Sequence, residues 1–384
     1  MKIGINGMFF QFPASGSGQY LSHLLSAIAE IDKKNDYTLF GPLLLEKSNV
    51  HVYPYEVARV PGFATRNDNI EKVMWEQFTG PAAVQKAGMD LYHVPYFAPP
   101  LLHRTPTVVT IHDVIPLRLP AYQPNSRVKA YMNLVARAAW RTNMIFTVSQ
   151  HAKQDIIDAL KLPAERIRVI YEAAGEEYQP VTDLERLAEA RRRYEMGERY
   201  VFYLGGLDQR KNVPQLVQAF AQVYKQIGDP DLRLLIAGNP DKQKGPFFPD
   251  PRPVAAELGV TEQIKYHFIA EEDKATMYSG ASLFVFPSLY EGFGLPPLEA
   301  MGCGAPVVCS NRTSLPEVVG DAALSVDPDD TQALVEAMSR VLTNSDLRAD
   351  LRARSLKRAR QFSWQKTASE TIAVYEEVLI QRKK

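Results

Sequence analysis

Cysteine is nearly absent: Cys303 and Cys309 are the only two in 384 residues, and both sit in an apolar Gly/Ala/Val stretch. Two lone thiols make neither a disulfide framework nor a zinc site, and they suit a reducing compartment. Net charge is absent too. Lys and Arg total 44 against 44 Asp and Glu, and neither half is polyelectrolyte-like, which excludes a chain built to coat nucleic acid. Long apolar runs are missing as well. The longest stretch free of Asp, Glu, Lys and Arg, Ile3 to Ala29, is broken by Asn6, Gln11, Pro13, His23 and a Ser/Gly cluster, and the next, Ala275 to Tyr290, is too short. Neither is fit to cross a bilayer. The opening MKIGINGMFF has no signal-peptide cleavage pattern and reads as a strand. The expected setting is cytoplasmic.

What is present is an ordinary globular composition, 46% hydrophobic, in a chain long enough for two domains. The period of the apolar residues keeps switching. Lys2–Asn6, 37–40, 107–111 (TVVTI), 144–148 (MIFTV) and 168–171 read as short strands, with helices from Gln19 and after Ser149. The second half repeats the pattern: strands at 200–204, 232–237, 265–268, 283–286, 306–309 and 323–326, with helices at 213–226, 273–279, 297–301 and 331–342. Strands alternating with helices in both halves predict an α/β protein of two parallel-sheet, Rossmann-like domains. The expected division is residues 1–178 and 179–363, with a linker near 174–185. Residues 240–253 read as an exposed loop, and the tail from Trp364 as an amphipathic helix.

In open α/β sheets ligands bind outside the carboxyl ends of strands, so the loops following strands carry the candidates. Gly16 and Gly18 stand in a Ser-Gly-Ser-Gly loop opening a helix, where backbone can come close to an anion; a plain flexible loop reads equally well. His112, in Thr-Ile-His-Asp after a buried strand, can exchange a proton near neutrality; a structural bond to Asp113 is the competing reading. In Gly205-Gly206-Leu207-Asp208-Gln209-Arg210-Lys211-Asn212 a strand ends in two glycines and adjacent cations. Arg supplies a planar fork and Lys a point charge, two ways to grip phosphate. In Ser288-Leu289-Tyr290-Glu291-Gly292-Phe293-Gly294-Leu295-Pro296-Pro297-Leu298-Glu299, one acid follows a strand and the other falls early in a helix opened by proline. Carboxylates accept from sugar or ribose hydroxyls, and a bare acid pair also suits a hydrolytic dyad. The nearby cations favour a nucleotide-linked ligand. Asp327-Pro328-Asp329-Asp330 reads as a turn, not a metal motif.

Glu291 and Glu299, with seven residues between them, resemble the EX7E motif of retaining GT-B glycosyltransferases. The segment FVFPSLYEGFGLPPLEAMGCGAPVVCSNRTSLPEVVGDAAL is similar throughout to family 4 (group 1). GGLDQRKN resembles that family's phosphate-binding segment, and TIHDVIPL and FTVSQHAKQDI its N-terminal domain, close to the O-antigen mannosyltransferase branch. The resemblance implies two domains facing a deep cleft, the first binding acceptor and the second nucleotide sugar, with a tail helix (364–384) returning to the first. It implies a hexosyltransferase of O-antigen or lipopolysaccharide biosynthesis, with GDP-mannose as donor, other UDP- or GDP-hexoses remaining open, and a glycan or lipid-linked acceptor. Arg210 and Lys211 would bind the diphosphate. Glu291, with Gly292, Phe293, Gly294 and Leu295, would bind the sugar and distal phosphate, Gly206 would line the donor site, and Glu299 would hold the ribose. Gly16 and Gly18 would reach the diphosphate, and His112 the sugar near its C6 hydroxyl. No cofactor and no metal is implied. A non-catalytic nucleotide-sugar or glycan-binding protein on the same fold is the alternative. Between Val114 and Gln154 six basic residues, no acids, and Tyr122, Tyr131 and Trp140 predict peripheral contact with the inner membrane face; an ordinary solvated helix is the other reading.

Overall fold

The computed structural model describes residues 1–13, 15–43, 53–123, 125–243 and 245–383. Lys244, within the expected 240–253 loop, and Lys384, at the end of the expected tail helix, lie outside the described residues. The chain forms two compact units, Met1–Glu172 with Ser363–Lys384, and Ala173–Phe362. The dividing points thus fall at 172/173 and 362/363, against the sequence-based 178 and 363.

The first unit holds β1 (Lys2–Asn6), β2 (Asp36–Gly41), β3 (Tyr55–Val57), β4 (Leu91–Val94), β5 (Thr107–Thr110), β6 (Met144–Thr147) and β7 (Ile167–Val169). They form one parallel sheet in the order β3-β2-β1-β4-β5-β6-β7. β5 and β6 are buried at every residue, as expected of central strands covered on both faces. β3 and β4 went unread in the sequence. The helix Gly16–Ile31 is capped by Ser15, whose Oγ accepts from Gly18 N. It starts three residues before the periodic apolar stripe that revealed it, because glycine and serine carry no hydropathy signal. Helical turns over Asp68–Met74, Trp75–Thr79 and Gly80–Lys86 run on without a break.

The tail helix Trp364–Lys383 belongs to this unit. Trp364 stacks on His23 with centroids 5.2 Å apart, Thr367 Oγ1 donates to the Tyr171 carbonyl at 2.6 Å, and Tyr375 Oη lies 2.7 Å from His93 Nδ1.

The second unit holds β8 (Tyr200–Leu204), β9 (Arg233–Ala237), β10 (Ile264–His267), β11 (Leu283–Phe286), β12 (Val307–Ser310) and β13 (Leu324–Val326). This sheet is parallel too, ordered β10-β9-β8-β11-β12-β13. In each sheet the strand order reverses once, between β1 and β4 and between β8 and β11, and crevices at such points are the natural ligand sites. The Asp327–Asp330 segment is a turn: Asp330 caps the helix Thr331–Thr343, and Arg312 bridges Asp327 and Asp329 at 2.6 Å each.

Among the described residues no helix is long and apolar enough to cross a membrane. The basic 114–154 stretch is less free than its composition suggested. Acids outside it neutralise Arg118, which pairs with Asp155 and Asp158 at 2.7 and 3.1 Å. Tyr131 Oη donates to Glu76 at 2.8 Å.

Candidate functional site

At the reversal point of the second sheet, the loops after β8 and β11 are stitched together. Leu289 N donates to the Arg210 carbonyl at 2.7 Å, and Ser288 Oγ to the same oxygen at 3.1 Å. Arg210 and Lys211 form a single helical turn ended by Asn212, which at φ 58° opens the helix Val213–Ile227 from the left-handed region. This backbone aims both cations at one carboxylate. Arg210 Nη1 donates to Glu291 Oε2 at 2.9 Å, and Lys211 Nζ to Oε1 at 2.6 Å. Ser288 Oγ reaches the same Oε1 at 2.5 Å. Lys211 also sits 4.8 Å above the Phe286 ring, a favourable cation–π placement.

The Glu291 backbone is held from the other side. Its N–H donates to Thr313 Oγ1 at 3.1 Å, and Ser314 Oγ donates to the carbonyls of Glu291 and Phe293 at 3.0 and 2.6 Å. Thr313 adopts φ 57°, a strained conformation for a β-branched residue that persists where surroundings enforce it. Gly294 adopts φ 121°, a conformation L side chains rarely take, so a residue with a Cβ would be strained there. Gly292, Phe293 and Leu295 lie on this clamped loop or at the start of the helix Leu295–Gly302. Gly206 follows β8, its carbonyl accepting from Tyr203 Oη at 2.6 Å. The 240–253 loop leans on the same segment, with Gln209 N donating to the Phe247 carbonyl at 2.9 Å.

Electrostatics follow from burial and neighbours. Burial alone would raise the Glu291 carboxyl, but Lys211 and Arg210 outweigh it and hold the group below the usual range. Burial also pulls the Lys211 ammonium down, against the opposing pull of Glu291. Lysine carries three donors and Glu291 engages one of them, so an incoming phosphate can share the cation without displacing the carboxylate.

Glu299 lies apart from this knot. Its Oε2 accepts from Tyr278 Oη at 2.9 Å. Burial, with Glu271 and Glu177 nearby, pushes its carboxyl up to about 7 against the pull of Tyr278 and Lys274. The sign of its linkage is therefore opposite to that of Glu291. Stability tied to the protonated acid is complete below about pH 4, the unfolded value, and is lost as pH rises toward 7. Glu299→Gln is expected to raise stability at pH 8 by about 2 kcal/mol. Urea unfolding at pH 5 and 8 measures the effect, and equal destabilisation at both would contradict the buried-acid account.

In the first unit, His112 follows β5. Its Nδ1 lies 2.9 Å from Glu172 Oε1 and its Nε2 lies 3.3 Å from the Pro95 carbonyl. The partner is thus Glu172, not the adjacent Asp113. Tyr20 packs edge-on against the ring at 4.7 Å. Two acceptors facing two ring nitrogens suit an imidazolium, since a neutral ring would turn a lone pair on one of them. Burial pushes the other way, but the Glu172 bond and charge leave His112 raised overall. His93 one strand over behaves oppositely. Fully buried between Thr110 Oγ1 and Tyr375 Oη, it is pushed down to about 3 and stays neutral. Gly16 is exposed, with open space where a Cβ would go. A Cβ on Gly18 would lie 2.2 Å from the Phe12 carbonyl, so Gly18 is required by its own chain.

Glu172, Ser288, Thr313 and Ser314 were not read from the sequence. Glu172 lies just before the expected linker and ends the strand run IRVIYE, the same acid-after-strand position that singled out Glu291. Among the described residues no group of three or more His, Cys, Asp or Glu could hold a metal ion.

Comparison with known proteins bears on both units. The pattern described as "Glycosyl transferases group 1" matches residues 187–358, and that of "Glycosyltransferase Family 4" residues 14–174. The chain is 35% identical to the O-antigen chain mannosyltransferase B of Escherichia coli over 288 residues, 74% of each chain. It is 34% identical to the serotype-specific mannosyltransferase WbdA of Escherichia coli over 68% of this chain, but that match spans only 32% of WbdA. Among solved structures, sucrose-phosphate synthase from Thermosynechococcus elongatus superposes with a TM-score of 0.77 at 20% identity, covering 99% of this chain and 100% of the other. That similarity is one of fold, a pair of parallel-sheet domains of the GT-B type. The chain therefore belongs to the group 1, family 4 glycosyltransferases.

Proposed function

We propose that this glycosyltransferase moves mannose from GDP-mannose, with retention, onto a glycan or lipid-linked saccharide acceptor of O-antigen or lipopolysaccharide biosynthesis. It would work in the cytoplasm as a peripheral protein of the inner membrane face. The observation that carries the reading is the knot of Arg210, Lys211 and Glu291 at the reversal point of the second sheet. The relatives' names support mannose and the O-antigen. Arg210 and Lys211 bind the diphosphate and meet the charge that develops as the C1–O bond to phosphate breaks, a preorganised electrostatic role. The reading assigns that charge to these cations with no metal. Glu291 and the backbone from Gly292 to Leu295 bind the sugar, with Gly206 lining the donor site, and Glu299 binds the ribose. Gly16 and Gly18 serve the diphosphate and His112 the sugar. The acceptor hydroxyl attacks C1 from the face the phosphate leaves, its proton passing to the departing diphosphate, so configuration is kept.

A thermal-shift panel of GDP-, UDP- and dTDP-linked sugars tests the donor. A ligand of the folded state at a hundred times its Kd adds about 2.7 kcal/mol. GDP-mannose is expected to give the largest rise in Tm, and a larger rise with UDP- or dTDP-sugars would replace it as donor. The anomeric configuration of the product, read by NMR, decides retention.

A further inference from the structure

A second hollow lies in the first unit at the opposite end of the sheet from His112. It is a groove of about 890 Å³ formed by the segments that enter β5 and β6, by the helical turns around Trp75–Thr79, and by the end of the tail helix. Arg104, Arg141 and Arg382 line it, and among the described residues no Asp or Glu does. Nor does any of the three make an ion pair among the described residues, although Arg382 also borders a smaller hollow containing Asp90 and Glu376. Beside these cations the same groove exposes Phe78, Leu102 and Trp140, at 57%, 70% and 46%. Clustered exposed apolar side chains beside cations without a counter-charge mark an interaction surface.

The walls are built in advance. The Gln77 side chain donates to the Pro99 carbonyl at 3.1 Å and accepts from Leu101 N at 2.9 Å, fastening one wall. His103 lies 3.0 and 3.1 Å from the carbonyls of Thr105 and Arg141, fastening the other. Trp140 Nε1 donates to the Leu160 carbonyl at 2.8 Å, which fixes the ring with one side to solvent. A groove fastened at both walls loses little freedom on binding.

We propose that this groove binds an amphiphilic phosphate, Arg104 and Arg141 taking the phosphate oxygens and Phe78, Leu102 and Trp140 the apolar body. Arginine forks match phosphate in geometry and charge, and three exposed apolar side chains favour a ligand with an apolar body over a plain sugar. The assignment goes beyond the transfer reaction and involves none of the residues placed in it.

Trp140 is the only exposed tryptophan of three, Trp75 and Trp364 being buried, so its emission reports occupancy. The full chain is titrated with monomeric dihexanoylphosphatidylglycerol, with dihexanoylphosphatidylcholine, with inorganic pyrophosphate, and with phosphatidylcholine vesicles with and without phosphatidylglycerol. Binding of the anionic amphiphile, as monomer or in vesicles only, is expected, and the two arms separate an isolated ligand from a bilayer headgroup. R104A/R141A should weaken it about thirtyfold, roughly fivefold per arginine, with transfer to a soluble acceptor unchanged. Three results would overturn the proposal: no binding of either anionic form, equal binding by the double variant, or pyrophosphate binding as tightly as the amphiphile. Circular dichroism of the double variant confirms that it is folded, and Trp140→Phe confirms the origin of the signal.

Discussion

Lys211→Ala is expected to lower kcat for sugar transfer by about a thousandfold, the size seen when one preorganised group facing developing charge is removed. Lys211 is 7% exposed, bound to Glu291 at 2.6 Å and seated over Phe286. On the proposed mechanism its loss withdraws a fixed positive charge where the leaving diphosphate becomes more negative. A second effect follows from the pair. Glu291 keeps Arg210 and Ser288 but loses its closest cation, and breaking a buried pair from one side costs about 3 kcal/mol or more. Urea unfolding gives the stability change, and single-turnover rates under conditions where the variant remains folded give the chemistry. A folded variant with wild-type single-turnover rate would remove Lys211 from the mechanism.

Glu172→Gln is expected to slow transfer by about a hundredfold, as the loss of an orienting partner behind a site residue does. It should also move the pH profile. Glu172 is 5% exposed and contacts His112 Nδ1 at 2.9 Å. The groups facing His112 are Glu172 after β7, Asp113 beside it, Tyr20 on the first helix and neutral His93. Because Glu172 raises the His112 pKa, the imidazolium and the stability tied to it are complete below about pH 6.5, the ordinary value, and are lost as pH rises through the raised folded value. Without the carboxylate the alkaline limb should move toward acid, and Glu172→Asp should restore part of both rate and profile. Side-chain NMR of His112 follows the titration directly. A slower enzyme with an unmoved His112 titration would make Glu172 a packing residue and leave the imidazolium without its cause.

Some of this was legible in the sequence for identifiable physical reasons. TVVT and MIFT are buried on both faces and therefore spell unbroken β-branched or apolar runs. The two-glycine end of β8 and the Gly-Phe-Gly-Leu-Pro word are written in residues whose backbone freedom is itself the signal. β3, only Tyr55–Val57, sits at the sheet edge, half-exposed, and gives no pattern. The second partners of the site stayed hidden because they act through space: Thr313 and Ser314 lie more than twenty residues from the glutamate whose backbone they hold. Nothing local to SNRTSLPE says that a threonine there is bent into the left-handed region. The counter-charges of Arg118 in the 114–154 stretch were hidden for the same reason, Asp155 and Asp158 lying outside the window that was read.

The order in which the ribosome releases the chain gives the tail helix another meaning. The second unit is one continuous segment and has all its residues once Phe362 has emerged. The first unit begins earlier but lacks Trp364, Thr367 and Tyr375 until the second unit has been made. Until then the hydroxyl that pairs with His93 is missing, and so is the indole that covers His23. The unit begun first is therefore completed after the second, and a message cut short before codon 363 would leave a complete second unit joined to a first that cannot close its core.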